Sequence, residues 1–176
     1  HMDNMIEQDA PEWSATVYHN GEKKTLSSTD LAGEWYLIYW YPFDFTFICP
    51  TEIVGFEELK EDFEDDGITV IGCSTDSYFS HKAWFADSAT FPAGVTHPVI
   101  GDTTHRVTND FNMMNAALGC GFRGTVLVDP EGVVRMYSIN GMDAGRSPAE
   151  VLRTCQAEQV GGLCGANWKK GDDFAA

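Results

Sequence analysis

The sequence is poor in positive charge. Its 176 residues carry 11 Lys+Arg against 27 Asp+Glu, a formal net charge of −16. That balance argues against a phosphate-backbone partner, because nucleic-acid binders present basic patches. It also disfavours an anionic membrane surface. Long apolar runs are missing: the longest, Trp35–Phe45, is interrupted by Pro42 and Asp44, short of the ~18 residues that a membrane helix needs. No charged-then-apolar leader is visible and His1-Met2 reads as a cloning scar, so the expected compartment is the cytoplasm. Repeats and low-complexity blocks are absent. At 43% hydrophobic and 12% aromatic, the chain is no disordered polyelectrolyte. Its length fits one ordinary domain.

Closely spaced cysteine pairs are lacking too. The five cysteines are Cys49, Cys73, Cys120, Cys155 and Cys164, and no two form C-x-x-C. A general thiol–disulfide oxidoreductase would need that pair. A structural zinc site would need paired ligands, and the five histidines are equally scattered. Neither a metal nor a cofactor is expected. In a reducing compartment the cysteines read as free thiols, some of them catalytic.

What is present alternates strands with helices. Residues 13–18 and 34–41 are rich in aromatic and β-branched residues, as strands are. The second is nearly continuous in apolar character, as in a central strand covered on both faces. Asn20-Gly21 marks a hairpin. Residues 50–65 take helical period, with Ile53, Phe56, Leu59, Lys60 and Phe63 on one stripe and Gly67 as the stop. Residues 68–74 read as a buried strand, and 77–88 and 103–112 as amphipathic helices. Residues 125–129 and 133–139 flank an Asp-Pro-Glu-Gly turn. Ser147-Pro148 opens a last helix to about Gln159, stopped by Gly161-Gly162. The fold class is α/β.

The most informative stretch is Tyr41-Pro42-Phe43-Asp44-Phe45-Thr46-Phe47-Ile48-Cys49-Pro50-Thr51-Glu52, where a buried strand gives way to a helix. The spacing puts Cys49 at the N-cap, Pro50 at the first helical position and Glu52 at the third. Unpartnered first-turn N–H groups and the helix dipole favour a thiolate there. Cysteines in such settings have pKa values of roughly 3.5–7.5. Ser, Thr, Asp or Asn would cap the helix better, so a cysteine here calls for a chemical reason. The plain alternative is a small apolar residue.

This stretch resembles the peroxidatic-cysteine motif of the typical two-cysteine peroxiredoxins, near the bacterial alkyl hydroperoxide reductase C subunit. Further blocks match in order: Val70–Ser77 with His81–Trp84, Phe122–Thr125 before Val126–Gly132, Gly145–Ser147, and Gly162–Lys169. The resemblance implies a thioredoxin-like fold, a central mixed β-sheet flanked by helices with an N-terminal hairpin, over residues 3–160. Residues 161–176 would form a tail carrying the resolving cysteine, Cys164. The implied activity is reduction of hydrogen peroxide and organic hydroperoxides. Cys49 would attack the peroxide. Thr46 would offer its hydroxyl to peroxide and sulfur, Arg123 would supply the cation, and Pro42 would shield the pocket. Glu52 would pair with Arg123 or Arg146. Cys164 of a second chain would close an intersubunit disulfide, recycled by thioredoxin or a flavoprotein disulfide reductase. A homodimer, assembling to a decamer, is implied; the alternative is a stress-induced chaperone-like oligomer.

Two features depart from the family pattern. The Gly-Gly-Leu-Gly segment of members sensitive to excess peroxide is missing from Thr90–His97, and Gly165 stands where the family often has proline. The first implies robustness to overoxidation. Cys73 and Cys155 read as packing residues, Cys120 as an accessible thiol near the pocket rim, His81 as unconnected to Cys49, and Met113-Met114 as core filler.

Overall fold

The computed structural model describes residues 4–176, so the cloning-scar reading of His1-Met2 lies outside them. Two strands, β1 (Ser14–His19) and β2 (Glu22–Ser27), form the hairpin at Asn20-Gly21, where both residues take positive φ. The central strand β3 (Trp35–Trp40) pairs in parallel with β4 (Ile68–Ser74), and β4 in parallel with the three-residue β5 (Val99–Gly101). A small ribbon, β6 (Met114–Asn115) with β7 (Cys120–Gly121), stands apart. The second hairpin joins β8 (Arg123–Val128) to β9 (Val134–Asn140), and β8 runs antiparallel to β3. The seven-stranded mixed sheet is ordered β2-β1-β5-β4-β3-β8-β9.

Two apolar layers cover the sheet, and β3 divides its side chains between them with period two. Leu37, Tyr39 and Tyr41 join a layer with Ile53, Phe56, Phe63, Trp84, Phe85 and Val151. Tyr36, Ile38 and Trp40 join another with Trp13, Ile71, Val107, Phe111 and Val126. Burial on both faces explains the unbroken apolar run read in the sequence.

Helices differ from the sequence expectation in their limits. The predicted helix over 50–65 is two, α1 (Cys49–Glu58) and α2 (Lys60–Asp65), parted at Leu59. α3 (Tyr78–Phe85) is capped by Ser77. The helix expected over 103–112 shrinks to α4 (Arg106–Asp110). The Asp102 carboxylate captures the Val107 and Thr108 N–H groups and fixes its first turn, while His105 at φ 62° turns the chain just ahead. α5 (Pro148–Val160) has Ser147 as N-cap and ends on Gly161 at φ 73°, as expected.

The tail does not hang free, contrary to its polar composition. The Trp168 indole is buried and stacks on Phe174, with ring centroids 6.2 Å apart. Phe174 also lies on Gly162, where a Cβ would meet the ring at 2.6 Å, so a larger residue there would displace the ring. The Ala175 N–H donates to the Leu163 carbonyl and closes the segment on itself.

Candidate active site

Cys49 is not the N-cap. The cap is Ile48, which offers no side-chain hydrogen bond, and Cys49 is the first helical residue with Pro50 second. The correction moves the thiol one position inward, still within the turn whose N–H groups lack helical partners. The Ile48 carbonyl takes the Thr51 and Glu52 N–H groups. The loop leading in is anchored by a buried cluster: the Asp44 carboxylate accepts from the Tyr41 hydroxyl at 2.7 Å and the Ser80 hydroxyl at 2.8 Å, and lies 2.7 Å from His81 Nδ1. His81 Nε2 lies 3.0 Å from the Ile100 carbonyl, so this histidine serves the loop and not the sulfur. Phe45 sits at φ 59°, a position a non-glycine residue occupies at a cost of about 1–3 kcal/mol.

A chain of charges leads away from the sulfur. Arg123, at the start of β8, donates from Nη1 to Cys49 Sγ at 3.4 Å and to Glu52 Oε1 at 2.6 Å. Its Nε donates to the Met142 carbonyl at 2.8 Å. Glu52 Oε2 receives Arg146 Nε at 2.6 Å and the Arg146 N–H at 3.0 Å. Arg146 also donates to the carbonyls of Gly124 and Trp40, and its guanidinium lies 5.5 Å from the Tyr39 ring centroid. Glu52 thus joins both arginines, where the sequence allowed for either. Cys49 and Glu52 are about 1% exposed and Arg123 about 5%. Burial works against the Arg123 charge, but the Cys49 sulfur and Glu52 outweigh it and bind its proton more firmly than usual. The result is a cationic pair pinned by one carboxylate, with a fork of donors left for the sulfur and for whatever oxygen approaches it.

Other predicted residues fall in mixed places. Pro42 is buried at the end of β3. The Thr46 hydroxyl donates to the Phe43 carbonyl at 2.7 Å and makes no hydrogen bond to Cys49. Its proton is engaged within the loop. Cys164 is half-buried, its thiol 3.7 Å from the Ala157 carbonyl on its own α5. All five cysteines are free. Cys73 and Cys155 are buried, and burial pushes both thiols well up. Cys120 corrects the sequence reading: it is fully buried, not accessible, and next to it Gly121 lets β7 pack closely on Trp40, where a Cβ would stand 3.2 Å from the indole. Sequence reasoning missed the Met142, Gly124 and Trp40 carbonyls that orient the arginines. A backbone acceptor carries no residue-type signal.

The chain as a whole is similar to proteins of one family. The sequence profile of the AhpC/TSA family matches residues 6–137. Peroxiredoxin tpx1 of Schizosaccharomyces pombe is 38% identical over 178 residues, covering 98% of this chain and 93% of that protein. A mitochondrial thioredoxin-dependent peroxide reductase of Drosophila melanogaster is 37% identical over 169 residues, covering 93% and 72%. The reduced two-cysteine peroxiredoxin of Plasmodium vivax superposes with a TM-score of 0.89 at 30% identity, over 97% of this chain and 92% of that one.

Proposed function

This chain belongs to the AhpC/TSA family and is a peroxiredoxin, a thiol-dependent peroxidase, and we propose that Cys49 is its peroxidatic thiol and Cys164 its resolving thiol. The observation that carries the assignment of Cys49 is the Arg123 Nη1 contact to its sulfur, in a helix first turn closed off from bulk water. In the first step the Cys49 sulfur, as thiolate, attacks the terminal oxygen of a hydroperoxide. The O–O bond breaks, and water or an alcohol leaves after taking up a proton. The sulfur loses two electrons and becomes a sulfenic acid. Arg123, held by Glu52 and the Met142 carbonyl, faces the charge that develops on the departing oxygen. Thr46 would turn its hydroxyl from Phe43 to the peroxide, and Pro42 would limit water.

In the second step the Cys164 sulfur attacks the sulfenic sulfur, a disulfide forms and water leaves. We assign Cys164 to a partner subunit, with a decamer of five dimers as the assembly; the exposed rings of Phe45, Phe47 and Phe79 support association. A thioredoxin restores the thiols, as the name of the Drosophila relative states for that protein. Free thiols in a reducing cytoplasm fit this cycle. Nothing at the site favours the chaperone-like ring.

The test is peroxide consumption coupled to thioredoxin and its reductase. Cys49→Ser abolishes turnover. Cys164→Ser blocks turnover but leaves one round of sulfenate, trapped by a dimedone probe. Full activity in the Cys49 variant would refute the assignment.

A further inference from the structure

The tail is fastened to the body at one charged point. Lys170 Nζ lies 2.5 Å from Asp66 Oδ1, just beyond α2. Asp66 is a junction: its other carboxylate oxygen accepts from Gln156 Nε2 at 2.8 Å, and its carbonyl accepts from Gln159 Nε2 at 2.8 Å. The Asp66 side chain is 7% exposed, whereas that of Lys170 is 64% exposed. One residue therefore ties together α5, the α1–α2 segment that Cys49 opens, and the segment that holds Cys164. A second tie is uncharged at its acceptor: Arg153 Nη1 donates to the Trp168 carbonyl at 2.7 Å. The two ties join α5 and the end of α2 to the segment that carries the Trp168–Phe174 stack, and in this segment the Cys164 thiol lies 3.7 Å from the Ala157 carbonyl.

In this position Cys164 cannot react with Cys49. Its thiol is turned to its own helix, and Cys49 is buried under Arg123. The tail must leave α5 before either thiol of such a pair meets the other. We propose that the Lys170–Asp66 ion pair is a clamp on the tail, and that Lys170 and Asp66 are positioning residues that set how fast Cys164 is released. The proposal rests on Cys164 being the resolving thiol. Breaking the clamp costs the parked state little, because Lys170 is exposed and Asp66 keeps its glutamine partners. The released state gains relative to it by about two- to five-fold, the range of an exposed ion pair. The clamp weakens with salt, since its outer partner faces water.

Two readouts separate this proposal from the assignment of Cys164. Amide hydrogen exchange over 162–175 in the fully reduced chain reports the clamp without any peroxide chemistry. Lys170→Ala and Asp66→Asn raise exchange there by about two- to five-fold, and salt raises it in the parent chain but not in Lys170→Ala. Rapid-mixing kinetics with one equivalent of peroxide report the chemistry: sulfenate formation at Cys49 is unchanged and disulfide formation quickens by the same factor. Unchanged exchange in both single variants overturns the clamp. Faster exchange with unchanged or slower disulfide formation overturns the claim that these residues govern release. If no Cys49–Cys164 disulfide forms in the parent chain, the Cys164 assignment has failed, and exchange still judges the clamp.

Discussion

Arg123 has three assignments, and only an arginine can fill them together. Its Nε is taken by the Met142 carbonyl, and its Nη1 is shared between Cys49 Sγ and Glu52 Oε1. A lysine keeps the charge but has no planar fork. In Arg123→Lys the ammonium follows the Glu52 carboxylate and leaves sulfur and peroxide with one donor fewer. Removing one such donor costs about 10²–10³ in rate, so the second-order rate constant for Cys49 oxidation falls by about that factor. Stopped-flow tryptophan fluorescence measures it, and a loss smaller than tenfold would show the fork to be dispensable. At this scale the sequence was informative wherever residue type is the signal. Cysteine in a helix first turn, a glutamate three residues later and two arginines are all unusual enough to notice. Thr46 shows the limit: its spacing from Cys49 is right, yet its hydroxyl is spent on Phe43 in this state. Cys120 misled because flanking glycines suggest exposure, whereas Gly121 permits close packing on Trp40.

Helix α1 is fastened at its far end by a second buried relay. His97 Nδ1 lies 2.7 Å from Glu57 Oε1, and His97 Nε2 lies 2.6 Å from the Tyr39 hydroxyl. Thr96 adds its N–H at 2.8 Å and its hydroxyl at 2.5 Å to the same carboxylate. Burial alone would raise the Glu57 pKa; the bonds from His97 and Thr96 overturn that and bring it from 4.5 down to about 2. A carboxyl depressed in the fold adds stability that is complete above its unfolded value and is lost as pH falls towards the folded one. The window therefore runs from about 4.5 down to about 2. With solvent screening allowed for, the contribution is about 1–2 kcal/mol. Glu57→Gln is less stable than the parent by about that amount at neutral pH, and the gap closes through the window. Urea melts at a series of pH values measure it; a gap constant with pH would exclude the relay as its source. Nothing in the pattern around 57 or 97 announces this pairing, since the partners are 40 residues apart. Periodicity located α1, β3, β4 and α5 because each presents a long face to the core. It failed at α4, where one carboxylate, Asp102, sets the limits.

At the scale of the whole molecule two opposing features meet. The surface carries large rings in the open: Phe47 is 94% exposed, Phe79 69% and Phe45 63%. Two of these lie on the loop before Cys49, and Phe79 is on α3, which Ser80 and His81 bind to that loop through Asp44. Covering a phenylalanine side chain is worth roughly 1.5–3 kcal/mol, so such a face draws copies together. Against it stands a net charge of −16 on each copy. Part of that charge is committed internally: Glu52, Glu57 and Asp66 each hold a partner. Glu58, Glu61, Asp62 and Asp65 face water and repel a neighbour. Repulsion between exposed charges is screened beyond about 10 Å at 0.1 M salt, whereas apolar burial is not weakened by it. Association of this chain is therefore promoted by salt. Sedimentation velocity at about 0.02 M and about 0.5 M NaCl shows a shift to larger species at the higher salt. Phe47→Asp loses the larger species at both, because it removes the most exposed ring and adds a charge in its place. A variant that sediments like its parent at both salt concentrations would remove this face from the assembly. The Cys49–Arg123 site, which uses none of the exposed rings for its hydrogen bonds, keeps its rate of sulfenate formation in either case.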